Sequence, residues 1–256
     1  SYWEFEWAAD WADLSPRVLT EFDQFNNEGE SFYTNKIGFK AILDYLREPL
    51  SPQMLHFNTT ITNIEHSSNG VILTTSNGKI AKRYDYVIVT SSLGHLKKYH
   101  RFGGSCKIFL RWDKPWWNKN SSSIAPLPVE GMARDVLDPF ERELTTLQAM
   151  DWDPNTLIAW VAGAGHPVVD NMSDEEFSYR LTKLIRDMKN DQSIAPPSEI
   201  VRTKLTKNEL LLGSYSYMSL AQAKAKISHS RLSIPVRHKK RPVVLFAGEA
   251  THHRWD

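Results

Sequence analysis

Hydrophobic and polar positions along the chain follow helical spacing in two clear stretches. The first predicts a short amphipathic helix that ends before Pro49, with apolar positions at Phe39, Ile42, Leu43 and Leu46. The second begins after Ser173, where Ser173 and Glu176 form the sequence pattern of a capping box. Its apolar face comprises Phe177, Leu181, Leu184, Ile185 and Met188.

A third stretch of helical spacing lies at the start of the chain, where Trp3, Trp7 and Trp11 recur every four residues. If the segment from Tyr2 to Leu14 is helical, the three rings share one face. Such stripes more often pack into a core or against a partner than form an aromatic binding site, so core packing is the favoured interpretation.

Strand periodicity follows the first amphipathic helix. Four segments separated by turns of Ser, Asn and Gly predict a meander: Leu55 to His66, Val71 to Thr75, Ile80 to Lys82 and Tyr86 to Thr90. Within the last segment, Val87-Ile88-Val89 is apolar throughout, which is typical of a strand buried on both faces. Small residues follow it, at the kind of strand end where α/β sheets meet their ligands.

Further strands are predicted at Cys106 to Trp112, Leu157 to Val161, Leu210 to Met218 and Val243 to Phe246. In the first of these, Lys107, Phe109 and Arg111 face one side, because successive residues of a strand point in opposite directions. Helical and strand patterns are interspersed along the chain, which predicts an α/β fold.

Composition and charge narrow the classes of function. The 256 residues are 41% hydrophobic, which is enough apolar material for a sizeable core. Lysine and arginine total 31 against 30 aspartates and glutamates, so no net field favours nucleic acid or an anionic membrane as a partner. The basic run from Arg237 to Arg241 is interpreted as a solvated loop. No stretch approaches the roughly eighteen apolar residues that a membrane span needs.

Cys106 is the only cysteine, so the chain can form neither an intrachain disulfide nor a zinc cluster of cysteines. This favours a reducing compartment such as the cytoplasm, whereas the N-x-S/T patterns at Asn58, Asn120 and Asn171 leave secretion open. The pair His252-His253 resembles a metal site, but adjacent residues on a strand point to opposite faces. No metal site is therefore predicted.

Four motifs carry the candidate chemistry: Asp85 to Lys97, Lys107 to Trp117, Gly213 to Tyr217 and Leu245 to His252. In this order they resemble the flavin-containing amine oxidases. The Gly-Ser-Tyr-Ser-Tyr and Gly-Glu-Ala-Thr-His motifs most resemble those of animal spermine and acetylpolyamine oxidases. The resemblance covers nearly the whole chain. It implies FAD as the cofactor and oxidation of a polyamine or related amine by oxygen, with an aldehyde, an amine and hydrogen peroxide as products.

The resemblance also implies a two-lobed FAD-dependent amine oxidase fold, in which the chain crosses between the lobes. Residues 1–34 and 101–233 would belong to a substrate domain, and residues 35–100 and 234–256 to an FAD-binding domain. The dinucleotide fingerprint G-x-G-x-x-G is absent from the 256 residues, so the FAD-binding domain is expected to be incomplete. The expected partners are a small-molecule amine, oxygen, and the amino-terminal FAD-binding segment or another chain.

Lys107 and Tyr215 are the candidate residues for catalysis and substrate binding. A charged amine within an apolar strand is costly unless it is paired or faces a wet cavity, and snorkelling at a strand edge is the alternative. By resemblance, Lys107 is the lysine that holds a water against the reactive flavin nitrogen and assists reoxidation. Tyr215 falls on one wall of an aromatic cage, and aromatic faces attract amine cations.

Four residues are candidates for binding the cofactor. Glu249 follows a buried strand and Gly248, so its carboxylate and the glycine backbone can approach a ligand, whereas a surface turn is the alternative. By resemblance, Glu249 bonds the ribose and pyrophosphate region of FAD, and the backbone of Ile61 meets the adenine. Trp117 would pack under the cofactor or contact the substrate.

The chain departs from the family pattern at several positions. His95 replaces a residue that is usually apolar, and Leu205, Glu209 and Leu210 stand where the family has tryptophan, proline and tyrosine. Ser91 or Ser92 with His95 could suggest a nucleophile and its base, but the G-x-S-x-G elbow is missing. Two other functions therefore stay open: a non-catalytic component derived from the family, and an amine oxidase resembling lysine demethylases.

Overall fold

The computed structural model describes residues 4, 7–16, 36–96, 103–118, 120–125 and 138–251. The chain divides into two compact units, and each unit is built from two separate stretches. The larger unit comprises residues 1–20 and 91–227, and the smaller unit comprises residues 21–90 and 228–256. The domain boundaries predicted from the sequence are residues 34, 100 and 233, and those of the two compact units are residues 20, 90 and 227. The assignment of the two units to substrate and FAD stays a prediction.

The regular elements follow one another in a mixed order. The helices are α1 (Lys40–Arg47), α2 (Leu93–Leu96), α3 (Pro139–Glu143), α4 (Gly165–Asn171), α5 (Asp174–Lys189) and α6 (Leu220–Lys224). The strands are β1 (Ile61–Ser67), β2 (Gly70–Thr75), β3 (Gly78–Tyr84), β4 (Val87–Val89), β5 (Ser105–Arg111), β6 (Ser123–Ile124), β7 (Leu144–Met150), β8 (Asp153–Ala162), β9 (Glu199–Arg202), β10 (Val236–His238) and β11 (Arg241–Phe246).

The larger unit is organised around an antiparallel five-stranded sheet with the order β6-β7-β8-β5-β9. One face of this sheet forms the core. Cys106, Ile108 and Leu110 of β5 are fully buried there and pack in one cluster with side chains from α5. Those α5 side chains are Phe177, Leu181 and Ile185. The alternation of β5 therefore turns its odd-numbered residues to the opposite face of the sheet.

The helix that covers this core begins where the sequence predicts. The Ser173 hydroxyl accepts a hydrogen bond from the Glu176 amide (3.1 Å), which satisfies one free donor of the first turn. The helix ends at Asn190, whose left-handed backbone (φ 51°) lets its amide bond back to the last turn. The predicted cap at Ser173 is confirmed, and the reciprocal bond from the Glu176 side chain, which would complete the capping box, stays a prediction.

The smaller unit contains two three-stranded sheets. β1, β2 and β3 form a meander, as predicted for the first three segments. The fourth predicted segment does not join it, because β4 lies in a second sheet with β10 and β11 and pairs in parallel with β11. Val71, Val243 and Val244 form the shared core between the sheets. The basic run from Arg237 to Arg241 makes the hairpin that joins β10 to β11.

Three predictions about the elements were wrong. Leu210 to Met218 is not a strand: Leu212 has a left-handed backbone (φ 54°), and Gly213 follows at φ 157°. The expected amino-terminal helix does not run on to Leu14, because Ala8 has φ 48° and Asp10 is extended, and Tyr2 and Trp3 lie outside the described residues. Trp7 is half-buried and Trp11 is 61% exposed, so these two rings do not share a buried helical face.

The third wrong prediction concerns β4, which was expected to be buried on both faces. Val87 and Val89 pack on the core of the smaller unit, but Ile88 points the other way and is 56% exposed. The amphipathic helix α1 is confirmed as a helix, yet all of its residues are exposed in this chain. None of the helices in the described part of the chain is long and apolar enough to span a bilayer.

Candidate active site

Lys107 lies on the face of the large sheet that turns away from the helical core. It stands opposite Trp160 in the pairing of β5 with β8. Its Nζ lies 4.7 Å from the ring centroid of Trp160 and 5.3 Å from that of Phe109. Partial burial lowers the pKa of the Lys107 amine, because leaving water penalises the charged form. Lys107 is therefore half-buried on the sheet face opposite the core, and its contact with a cavity stays a prediction.

The backbone of Lys107 is held on its other side by Thr203. The Thr203 hydroxyl accepts a hydrogen bond from the Lys107 amide (2.8 Å) and donates one to the Lys107 carbonyl (3.1 Å). The Thr203 amide also donates to that carbonyl (2.9 Å). Lys107 is therefore fixed between two neighbours in the sheet, and only its side chain is free to move.

Tyr215 follows the turn at Leu212 and Gly213, close to the beginning of β5. The Ser214 amide (2.8 Å) and hydroxyl (2.9 Å) both donate to the carbonyl of Gly103. A Cβ on Gly103 would stand 2.9 Å from the carbonyl oxygen of Tyr215, so the glycine permits this close approach. Gly103 precedes Lys107 by four residues, which is about 13 Å along a strand. The structure thus places the backbone of Tyr215 beside the segment that leads into β5, the strand that carries Lys107.

The turn before Tyr215 is held by the segment that carries His95. The Ser92 hydroxyl donates to the carbonyl of Leu210 (2.6 Å), and Nδ1 of His95 lies 2.8 Å from the carbonyl oxygen of Glu209. A Cβ on Gly94 would lie 2.1 Å from the carbonyl of Leu211, so only glycine allows this contact. Ser92 and His95 are thus engaged with a backbone turn, which argues against a nucleophile and base.

Trp117 lies on the core side of the large sheet. Its ring packs edge to face on Trp112 (5.3 Å between centroids) and on Trp116 (5.5 Å), and it is only 7% exposed. Trp112 belongs to the same sheet face as the buried Cys106, whose thiol pKa is raised to about 12 by burial. The structure therefore does not bring Trp117 together with Lys107, and packing accounts for its position.

Gly248 and Glu249 lie in the smaller unit, at the carboxyl ends of two parallel strands. β4 and β11 end together, and the Ala247 amide donates to the carbonyl of Val89 (3.1 Å). Gly248 has φ 140°, and no described atom lies within 4 Å of where its Cβ would stand. Glu249 is exposed and opens a short 3-10 turn. At this edge an exposed carboxylate can accept hydrogen bonds from the hydroxyl groups of a dinucleotide cofactor. The open backbone at the glycine lets a phosphate group approach closely.

Ile61, the fourth cofactor candidate, is the first residue of β1 and stands opposite Thr75. It is 42% exposed, as expected for a strand residue whose backbone rather than side chain would meet a ligand. The described residues contain no group of three or more His, Cys, Asp or Glu side chains arranged to hold a metal ion. His252 and His253 lie outside the described residues.

Sequence reasoning missed Trp160 as a member of the site. It lies in a strand whose apolar run predicts burial, and the alternation of that strand shows only that it faces away from Leu157 and Ala159. The pairing register with β5 is what brings its ring over Lys107. The one signal in the sequence that could have identified Trp160 was its alternation with apolar residues that were expected to be buried.

The chain belongs to a known family. The sequence model described as "Flavin containing amine oxidoreductase" matches residues 1–256, so the chain is a member of the flavin-containing amine oxidoreductase family. Solved structures agree with this fold. Cyclohexylamine oxidase from Brevibacterium oxydans has a TM-score of 0.61 at 17% identity, over 85% of this chain and 48% of that one. Putrescine oxidase bound to putrescine has a TM-score of 0.61 at 12% identity, over 82% and 46%.

Two related proteins match different shares of this chain. Human peroxisomal N(1)-acetyl-spermine/spermidine oxidase is 26% identical over 159 residues, which cover 59% of this chain and 31% of that protein. The "Possible lysine-specific histone demethylase 1" of Drosophila melanogaster is 23% identical over 287 residues, which cover 97% of this chain and 31% of that protein. The chain thus spans about a third of the length of these relatives. The predicted family, the α/β amine oxidase fold and the FAD cofactor are confirmed.

Proposed function

We propose that this chain forms part of an FAD-dependent oxidase that converts a polyamine or related amine, oxygen and water to an aldehyde, an amine and hydrogen peroxide. The observation that carries the proposal is the position of Lys107. Its amine is half-buried between two aromatic rings, on the one face of the large sheet that the helical core leaves open.

The chemistry that FAD supplies when bound is acceptance of a hydride from the carbon beside the amine nitrogen and passage of the electrons to oxygen. The protein contributes proton handling and orientation. A lysine whose pKa is lowered by burial releases and takes up a proton more readily near neutral pH, which suits Lys107 to hold a water and assist the oxygen step.

The other predicted residues have binding roles in this proposal. Tyr215 would attract the cationic amine and shelter its neutral form with the face of its ring. Glu249 and the open backbone at Gly248 would hold the ribose and pyrophosphate region, and the backbone of Ile61 would meet the adenine. For Trp117 we propose only indirect support of the cofactor, because its ring is enclosed by other tryptophans.

The decisive experiment is Lys107→Met in the flavin-loaded protein. We expect reduction by the amine to persist and reoxidation by oxygen to slow by about 10²-fold, the scale of one lost proton-transfer group. Stopped-flow absorbance of the flavin measures both steps. Lys114→Met, at an exposed lysine beyond the same strand, is the matched control. Unchanged reoxidation in Lys107→Met would refute the catalytic role.

A second candidate substrate is a methylated lysine side chain. The similarity to the Drosophila demethylase covers 97% of this chain, against 59% for the human acetylpolyamine oxidase. Peroxide release from spermine, N-acetylated spermine and a methylated lysine peptide, compared at equal enzyme concentration, separates the two. Turnover of the peptide alone would replace the polyamine proposal.

A non-catalytic role is supported by a different observation. The apolar side of α1 is exposed, with Phe39 at 73% and Leu43 at 63%, and Ile88 of β4 is also exposed. These surfaces suit contact with the amino-terminal FAD-binding segment or another chain. The visible absorbance of the purified protein decides between the roles, because protein that stays colourless with added FAD would contradict the oxidase.

A further inference from the structure

The contact between Lys107 and Trp160 joins the central strand β5 to its neighbour β8. The two residues are directly opposed in the pairing, so their side chains leave the sheet on the same face. Phe109 and Ile158 form the next pair on this face, and both are half-buried. Val201 of β9 stands beside Phe109 and is exposed. We call these five residues the Lys107 face.

The Lys107 amine lies over the rings of Trp160 and Phe109. Within the described part of the chain, no carboxylate forms an ion pair with its Nζ. Because the backbone of Lys107 is held by β8 and by Thr203, the direction of its side chain depends on what its stem and amine pack against. The nearer ring is that of Trp160, at 4.7 Å.

The charged groups on neighbouring elements are engaged elsewhere. Arg111, on the same face, pairs with Asp153. Arg202 of β9 turns to the core side, where it pairs with Asp174 and lies over the ring of Phe177.

Two more charged groups stand near the end of β9. Asp170 is buried and accepts a hydrogen bond from the hydroxyl of Thr206, and Lys204 is exposed beyond β9. The environment of the Lys107 amine is therefore set by aromatic surface more than by charge.

We propose that Trp160 is a positioning residue for Lys107: its indole ring covers one side of the amine, shields it from water and fixes its direction over the open sheet face. The ring packs against the amine and its aliphatic stem, and its bulk limits hydration of the charged form, which lowers the pKa of the amine. The contact itself does not depend on the proposed function. Its consequence, that the amine stays directed at the cofactor, rests on that function.

Competitive labelling of lysine amines over a pH series tests the contact in the full chain without any flavin. Mass spectrometry then yields, for Lys107, both the limiting reactivity of the neutral amine and its apparent pKa. In Trp160→Ala we expect the limiting reactivity of the neutral amine to rise about fourfold, the population change produced by uncovering about one methylene group of the stem, about 0.8 kcal/mol. We also expect the pKa to move up towards the ordinary value of lysine, because water gains access.

Trp160→Phe retains an aromatic face and should keep the labelling profile of the unchanged protein. Ile158→Ala, at the next position of the same face on β8, is the matched control and should also leave the profile unchanged. If Trp160→Ala does not fold, Trp160→Leu retains the apolar bulk and should show the same direction with a smaller change. Lys114 and Lys183, both exposed, serve as internal references.

An unchanged or lowered pKa at Lys107 in Trp160→Ala would overturn the inference. So would a parallel change at Lys114 and Lys183, which would indicate general loosening of the fold. The outcome is separable from the proposed function. If the labelling profile changes as expected but Lys107→Met reoxidises its flavin normally, the positioning contact stands and the catalytic role of Lys107 fails.

Discussion

His95 and Glu209 are joined by a hydrogen bond, with Nδ1 of the imidazole 2.8 Å from the backbone carbonyl oxygen of Glu209. By the sequence resemblance, both residues are expected to depart from the family pattern, and they are 114 positions apart in the sequence. Together with the bond from Ser92 to Leu210, this contact holds the turn that leads to Tyr215. His95 and Glu209 therefore belong to a single contact, which lies beside the predicted substrate residue Tyr215.

The first prediction concerns this tether. His95→Leu restores the apolar residue that is usual in the family but leaves the Glu209 carbonyl without its donor. We expect a loss of about 0.5–1.5 kcal/mol in the free energy of unfolding, the usual worth of one hydrogen bond, measured by urea titration. In flavin-loaded protein, KM for the amine should rise more than kcat falls. His56→Leu, at an exposed histidine, should change neither quantity.

A second prediction follows from the contact of Gly104 with His166. A Cβ on Gly104 would stand 2.1 Å from Nε2 of the imidazole, whose Nδ1 is bonded to the carbonyl of Gly163 at 2.8 Å. Gly104→Ala should destabilise the chain by about 1–3 kcal/mol, because the ring must move. In the background of His166→Ala the same change should cost clearly less. Equal costs in the two backgrounds would show that the ring is not the obstacle.

The third prediction uses the lowered pKa of Lys107. A base whose pKa is lowered in the folded state carries its full burial penalty below the folded pKa, and this penalty fades as pH rises through the folded pKa towards the unfolded value. Lys107→Met should therefore unfold at a higher urea concentration than the unchanged chain at pH 7. This advantage should shrink towards pH 10, and an advantage that grows with pH would contradict the assignment.

A fourth prediction addresses the cofactor edge of the smaller unit. Gly248→Ala meets no neighbouring atom, but φ 140° disfavours any side chain, so the change should cost about 1 kcal/mol or more. If the backbone there approaches FAD, the purified variant should also hold less flavin per chain, measured from its visible absorbance. Gly38→Ala, with φ 68° and open space around it, shares the backbone penalty and should keep its flavin.

The elements that the sequence predicts well depend on neighbours in the chain. The start of α5 is visible because Ser173 caps an amide only three residues away, and the meander is visible because each turn contains its own Asn or Gly. The motif at Gly248 and Glu249 is recognisable for a related reason. It directly follows an apolar strand, so its place at a strand end can be read locally.

The wrong predictions arise where distant contacts override local pattern. Leu210 to Met218 alternates like a strand, yet Ser92, Gly94 and His95 hold its first carbonyls in a turn. β4 is apolar enough for burial on both faces, but whether Ile88 is covered depends on what lies against that face of the sheet. Periodicity carries no information about which segments of the chain meet.

The sequence by itself determined the family, the FAD cofactor, the presence of α1, α5 and several strands, and the alternation that separates Lys107 from the buried side of its strand. These properties depend on residue identity and on spacing of two to four positions. Only the tertiary structure decided that Trp160 covers the Lys107 amine, that His95 meets Glu209 and that Trp117 is enclosed in the core. Strand register and loop packing are set by the free energy of the whole fold, and no local pattern encodes them.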